Sequence, residues 1–263
     1  WKLFKRVEVV KNPQYWDAGK VKLNGIHFHP IENVTTEERM FRSGQLHHTG
    51  SIPIDKVATY KKDKPHLLHT YPYLGNYFYR INTKLPHLSD QRVRQALAMS
   101  IDSKQLTEQV TKGGEVPAYT FTPPNTLGYT AKSAFEFNPE KARKLLAEAG
   151  YPDGKDFPVT ELLYNTSESH RKIAVAIQQM WNQYLGVNII LNNQDWKVYL
   201  DSVGNGDYSI ARAGWIGDYV DPNTFLDMWV TEGGNNHTGW SNPRYDELIL
   251  KLAPTIPDRA MRY

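Results

Sequence analysis

The chain has 263 residues, 40% hydrophobic and 22% charged, with 31 lysines and arginines against 28 acids. That length supports one large domain or two modest ones with buried cores. The composition excludes a disordered chain, and no apolar run approaches the roughly 18 residues needed to cross a bilayer. The net charge of +3 is slight and scattered, which argues against nucleic acid as a partner, and the lack of cysteine excludes disulfides, thiolate metal sites and thiol nucleophiles.

In chain order, the opening WKLFKRVEVV alternates around Val7, Val9 and Val10 and predicts a strand. A second strand runs from Val21 to His29, with turn chemistry at Asn12–Pro13 and Asn24–Gly25. From Thr35 to Arg42 the period becomes helical and Gly44 closes it, and a short helix follows Pro53 in PIDKVATYKK. The tyrosine-rich run from His66 to Asn82 alternates as one strand, with Tyr71, Tyr73, Tyr77 and Tyr79 on one side. Ser89 is placed to cap a helix through QRVRQALAM, and Asn138 with Pro139 opens PEKARKLLAEA, ended by Gly150.

The segment Val159 to Leu191 reads as a βαβ unit: strand VTELLY, a helix from about Ser167 to Leu185 stopped by Gly186, then strand VNIIL. Ile173, Ile177, Trp181 and Tyr184 share the face of that helix that covers a sheet. Helix WKVYLDSV leads to strand YSIARAGW, and the loop GDYVDPN starts a helix near Pro222. There is no leader or start methionine, and IPDRAMRY opens an amphipathic helix that stops at Tyr263, so a fragment of a longer protein is expected. The expected fold class is α/β with mixed sheets and a boundary near residue 75.

In open α/β sheets, ligands bind beyond the carboxyl ends of parallel strands. The end of YSIARAGW offers Arg212, Gly214, Trp215 and Asp218 within seven residues: a cation, exposed backbone, an aromatic wall and an anion. A zwitterionic peptide complements that set, its ammonium at Asp218 and its carboxylate at Arg212, with Trp215 against a side chain. The alternative makes Asp218 a turn cap, Arg212 the partner of a nearby acid and Trp215 core. His170, in the first turn of its helix, is either a second carboxylate-binding position or a surface histidine. The 16 tyrosines and 7 tryptophans either grip variable ligands, stack on sugars or build core.

Other chemistry finds little support. His27 and His29 share a strand face, but a metal site wants three or four converging ligands, so no metal is expected. Ser167, Ser169 and His170 make no triad, nothing resembles GxSxG, and no GxxxxGK[ST] loop is present, so neither catalysis nor a cofactor is expected.

The stretches NPQYW (Asn12 to Trp16), FRSGQL (Phe41 to Leu46), SDQRVRQALAMSID (Ser89 to Asp102), PAYTFTPP (Pro117 to Pro124), KLLAEAGY (Lys144 to Tyr151), LLYNTSESHRKIA (Leu162 to Ala174) and ARAGWIGDYVDPNTFL (Ala211 to Leu226) carry a specific likeness. In this order, over essentially the whole chain, they resemble oligopeptide-binding proteins of Gram-negative bacteria, in the family 5 extracellular solute-binding class. The resemblance implies a class II periplasmic binding protein-like fold, in which two α/β lobes close over an extended peptide and pass it to an inner-membrane ABC permease. Residues 1–74 would then be the final part of lobe I and residues 75–263 most of lobe II, in a periplasmic protein with no covalent step.

By motif match, the resemblance gives the peptide's α-ammonium to Asp218, lines the groove with Trp215 and Gly214, and makes Arg212 and His170 the cations that meet peptide carboxylates. Tyr73 and Phe78 join the ligand-binding set, and peptide backbone is held in the manner of strand addition. There are departures: Gly75 and Ile216 stand where the enteric binder has paired cysteines, Val203 replaces an arginine, Thr111 a lysine and Arg80 a glutamate. LGNYFY with WIGDY also resembles the murein-tripeptide binder. Dipeptides, chito-oligosaccharides and metal chelates are other ligands that the family implies, and a peptidase is the reading from another class.

Overall fold

The computed structural model describes residues 5–263; the start of the first expected strand, Trp1 to Phe4, lies outside the described residues. The chain divides into two compact units, Trp1–Val57 and Ala58–Tyr263. In the first, β1 (Val7–Val10) and β2 (Gly25–Phe28) form an antiparallel hairpin with Val7 opposite Phe28 and Val10 opposite Gly25. The paired register stops there, with one further bond from the Lys11 N–H to the Asn24 carbonyl at 2.8 Å, so the second strand is shorter than its alternation suggested. The helix Val34–Arg42 follows, its Asn33 side chain accepting from the Thr36 N–H at 2.8 Å.

The second unit is built on a four-stranded sheet in the order β3 (Gly75–Ile81), β6 (Ile210–Ile216), β4 (Thr160–Asn165), β5 (Ile189–Gln194). β4 runs parallel to both β5 and β6, and β3 is an antiparallel edge strand. The expected βαβ unit is present: helix Glu168–Leu185 connects β4 to β5, capped by Ser167 and ended by Gly186 at φ +70°. Ile173, Ile177 and Trp181 are buried with Leu162, Tyr164 and Ile210, and the Trp181 indole N–H donates to the Leu97 carbonyl at 2.9 Å. Tyr184 is half-buried, its ring edge-on to Phe137.

The return helix Trp196–Asn205 joins β5 to β6 and packs Tyr199 and Val203 with Leu163 and Ala211. Adjacent strand residues point to opposite faces, so the two helices cover opposite sides of the sheet. The arrangement is doubly wound: the winding reverses at β4, with β5 added on one side of it and β6 on the other, and β4 and β6 run parallel. Their ladder has only two rungs, Leu162 with Ile210 and Leu163 with Ala211, and the carboxyl ends continue beyond it.

Two local expectations change. Asp90, not Ser89, caps the helix Gln91–Met99, accepting from the Arg92 N–H at 2.8 Å. Ser89 belongs to a preceding short helix, Pro86–Ser89, and its hydroxyl donates to the Pro86 carbonyl. The tyrosine run is not one strand either: β3 starts at Gly75, and Tyr71 and Tyr73 lie before it, 76% and 70% exposed. Pro72 between them has no N–H to give to a ladder. No helix among the described residues is long and apolar enough to cross a membrane.

Candidate functional site

Arg212 is the centre of the site. It lies on β6 opposite Tyr79, one residue past the last rung to β4. Its guanidinium sits 4.9 Å from the Tyr77 ring centroid, and Nη1 donates to Asn165 Oδ1 at 3.3 Å. Its Nε is buried with no hydrogen-bond partner, and no carboxylate pairs with it among the described residues. Half-buried charge without a counter-ion is costly. The reading in which Arg212 serves a nearby acid therefore fails.

His170 joins the same cluster. Ser167, at the end of β4, accepts from the His170 N–H at 3.5 Å, which fixes the first turn of helix Glu168–Leu185. The His170 ring lies 5.6 Å from that of Tyr77, with Nδ1 3.4 Å from the tyrosine hydroxyl. Burial first, and the Arg212 charge second, push the imidazole down to about 4. His170 is thus neutral at pH 7, a hydrogen-bonding group beside a cation. The helix amino end adds positive potential at this point.

Gly214 is exposed, on the same face as Arg212 and opposite Tyr77. A Cβ there would lie 3.5 Å from Arg212 Nη2, so the missing side chain leaves the guanidinium uncovered.

The rest of the expected set is elsewhere. Trp215 is three residues from Arg212 and so faces the other side of the sheet, half-buried with its indole N–H unpartnered. Phe78 shares that second face, 4.8 Å from the Phe121 ring and 5.8 Å from Trp229. Tyr73 precedes β3 and leans over Gly75, where a Cβ would sit 3.0 Å from its ring. Gly75 itself stands directly opposite Ile216.

Asp218 lies past the end of β6. Its backbone N–H donates to the Thr224 hydroxyl at 3.0 Å, while its carboxylate is exposed and makes no hydrogen bond or ion pair among the described residues. It does not cap the turn with its side chain. Burial, and next the Asp218 charge, raise the Asp227 carboxyl above its ordinary range, so the two acids share a local field. Sequence reasoning missed Asn165, although its place at a parallel strand's carboxyl end was a usable signal. It also missed Tyr199, whose hydroxyl donates to the Arg212 carbonyl and for which no local signal exists. Among the described residues no group of three histidines or acids could hold a metal ion.

The model of the family described as bacterial extracellular solute-binding proteins, family 5 Middle, matches residues 1–237. The chain belongs to family 5. The periplasmic oligopeptide-binding protein OppA of Salmonella typhimurium is 38% identical over 264 residues, covering 96% of this chain and 48% of that protein. The structure of the Escherichia coli murein tripeptide binding protein MppA matches with a TM-score of 0.92 at 39% identity, covering 98% of this chain and 52% of that one. Haemophilus influenzae OppA, in complex with the peptide RPPGFSPFR, matches with a TM-score of 0.86 at 33% identity, covering 98% and 52%. The chain thus has the α/β periplasmic binding protein fold of family 5 and spans about half the length of these relatives.

Proposed function

We propose that the complete protein is the substrate-binding component of a peptide importer, taking up short peptides in the periplasm and delivering them to an inner-membrane ABC permease. The observation that carries this reading is Arg212, a half-buried guanidinium with no acid paired to it among the described residues, next to neutral His170 and a helix amino end at the switch point of the sheet. A peptide carboxylate supplies the missing charge through a charge-assisted hydrogen bond. Asp218, past the same strand end and with no hydrogen bond or ion pair to its carboxylate among the described residues, takes the α-ammonium. Tyr73, Phe78, Gly214 and Trp215 contribute to the walls of the groove. Residues 1–74 are read as the last part of lobe I and residues 75–263 as most of lobe II, and capture needs no covalent step.

Mass spectrometry of the complete protein purified natively from its host tests this. A co-purifying ladder of short peptides, with added peptides returned intact, is the expected result; cleaved peptides would establish a peptidase, and an empty protein that binds none would defeat the reading. The likeness to a murein tripeptide binder, at a TM-score of 0.92, favours murein peptides as the second ligand class to try.

A further inference from the structure

On the face of the sheet opposite to Arg212, a second guanidinium is uncompensated. Arg80 on β3 stands opposite Ala211 and is half-buried, its Cζ 5.8 Å from the Phe78 ring centroid. Its Nε is buried without a hydrogen-bond partner, and it forms no ion pair among the described residues. The groups whose fields reach it are Tyr199, Tyr208, Arg212 and His237, none of them an acid. The two phenols do not neutralise it: the Tyr199 hydroxyl donates to the Arg212 carbonyl and the Tyr208 hydroxyl to the His237 carbonyl at 2.5 Å. Burial raises both, Tyr208 to about 12, so they stay protonated at neutral pH. The same burial draws the Arg80 guanidinium below its ordinary value, as expected of a cation whose counter-charge is missing.

We propose that Arg80, with the Phe78 ring beneath it and the Tyr199 and Tyr208 hydroxyls beside it, is an anion pocket for the carboxylate of an acidic peptide side chain. The chemistry fits an aspartate or glutamate: an apolar stem against the aromatic ring and a carboxylate on the guanidinium. β3 is the edge of the sheet, so no further strand separates the two faces. Arg80 stands opposite Ala211, the neighbour of Arg212, and each peptide residue reaches about 3.4 Å. A short peptide bound at Arg212 can therefore turn an acidic side chain toward Arg80. This inference rests on the peptide-binding reading above and specifies its ligand class.

Calorimetry on the complete protein tests it, with tripeptides and tetrapeptides that carry glutamate or glutamine at one position at a time. At one position glutamate binds about tenfold tighter than glutamine. In R80M the preference disappears while the glutamine peptide keeps its affinity, and R80K, which keeps the charge and is the variant read if R80M does not fold, retains part of it. A wild-type protein that binds the glutamine peptides but prefers glutamate nowhere, or a preference unchanged in the variants, overturns the inference and leaves the peptide-binding reading standing. Equal losses for both peptides in a folded R80M also overturn it, because they mark a structural arginine. Failure of the wild type to bind any of these peptides removes both.

Discussion

The Arg212 guanidinium lies over the Tyr77 ring, 4.9 Å from its centroid, and this contact across β6 and β3 holds the charge at the end of the sheet. A cation on an aromatic face is held without being neutralised. The tyrosine thus gives Arg212 a fixed place while its charge remains available, which a carboxylate partner would not allow. The adjacent His170 ring rests on the same tyrosine, 5.6 Å away, so one residue of β3 orients both polar groups.

Replacing Arg212 separates the site from the fold. In R212Q, a peptide with a free carboxyl terminus loses about 2 kcal/mol, close to thirtyfold, because a charge-assisted bond is lost. The same peptide as its carboxamide binds wild type and variant alike. Stability should stay within about 0.5 kcal/mol of wild type, since no acid is left unpaired. Equal losses for acid and amide peptides in calorimetry would contradict a carboxylate contact.

Asp218 is expected to act on the other end of the ligand. D218N weakens a peptide with a free α-ammonium by over about 2 kcal/mol once closure buries the pair, and leaves an N-acetylated peptide unaffected. It also lowers the Asp227 carboxyl toward its ordinary range without restoring it, since burial is the larger cause and Asp218 the second. Carboxyl-carbon NMR titration of Asp227 reads that shift, and an unmoved Asp227 would show that the two acids do not interact.

His170 makes binding depend on pH in a defined direction. Free, its imidazole titrates at about 4, held down by burial and then by Arg212. A bound carboxylate favours the imidazolium and raises that value. Between the free and the bound values binding takes up protons, so affinity rises as pH falls through the bound value toward about 4. H170Q removes the slope. Calorimetry in buffers of different ionisation enthalpy counts the protons; no uptake above about 4 in the wild type would exclude His170 from the carboxylate site.

What the sequence told about this molecule is divided by range. The βαβ unit was legible because its signals are local: Ser167 before the helix, the Ile173, Ile177, Trp181 stripe, and Gly186 after it. Arg212 and Trp215, three residues apart on one strand, lie on opposite faces of the sheet, a separation that the strand period itself makes legible. Pro72 likewise marked the break in the tyrosine run. By contrast, nothing local says that β3 pairs with β6, more than 120 positions later in the chain. The Tyr77 platform under Arg212 depends on that pairing, and so does the exposure of Arg80 to Tyr199 and Tyr208.

Two glycines distinguish fold from site most sharply. Gly186 ends the crossover helix at φ +70°, and a Cβ there would lie 2.2 Å from the Asp153 carbonyl oxygen, a backbone atom that cannot swing away. G186A therefore combines a left-handed conformation that alanine resists with a backbone collision, and should cost at least about 2 kcal/mol. Gly214 has no positive φ, and a Cβ there meets its nearest neighbours, Arg212 Nη2 and the Asn76 carbonyl, at 3.5 Å, an ordinary contact. G214A should leave the urea midpoint nearly unchanged and weaken only peptides with a free carboxylate, because its methyl group lies over the open side of the guanidinium. Urea melts and paired acid and amide titrations of both variants read the contrast. A G214A protein as unstable as G186A would mean that the glycine serves the backbone and not the opening above Arg212.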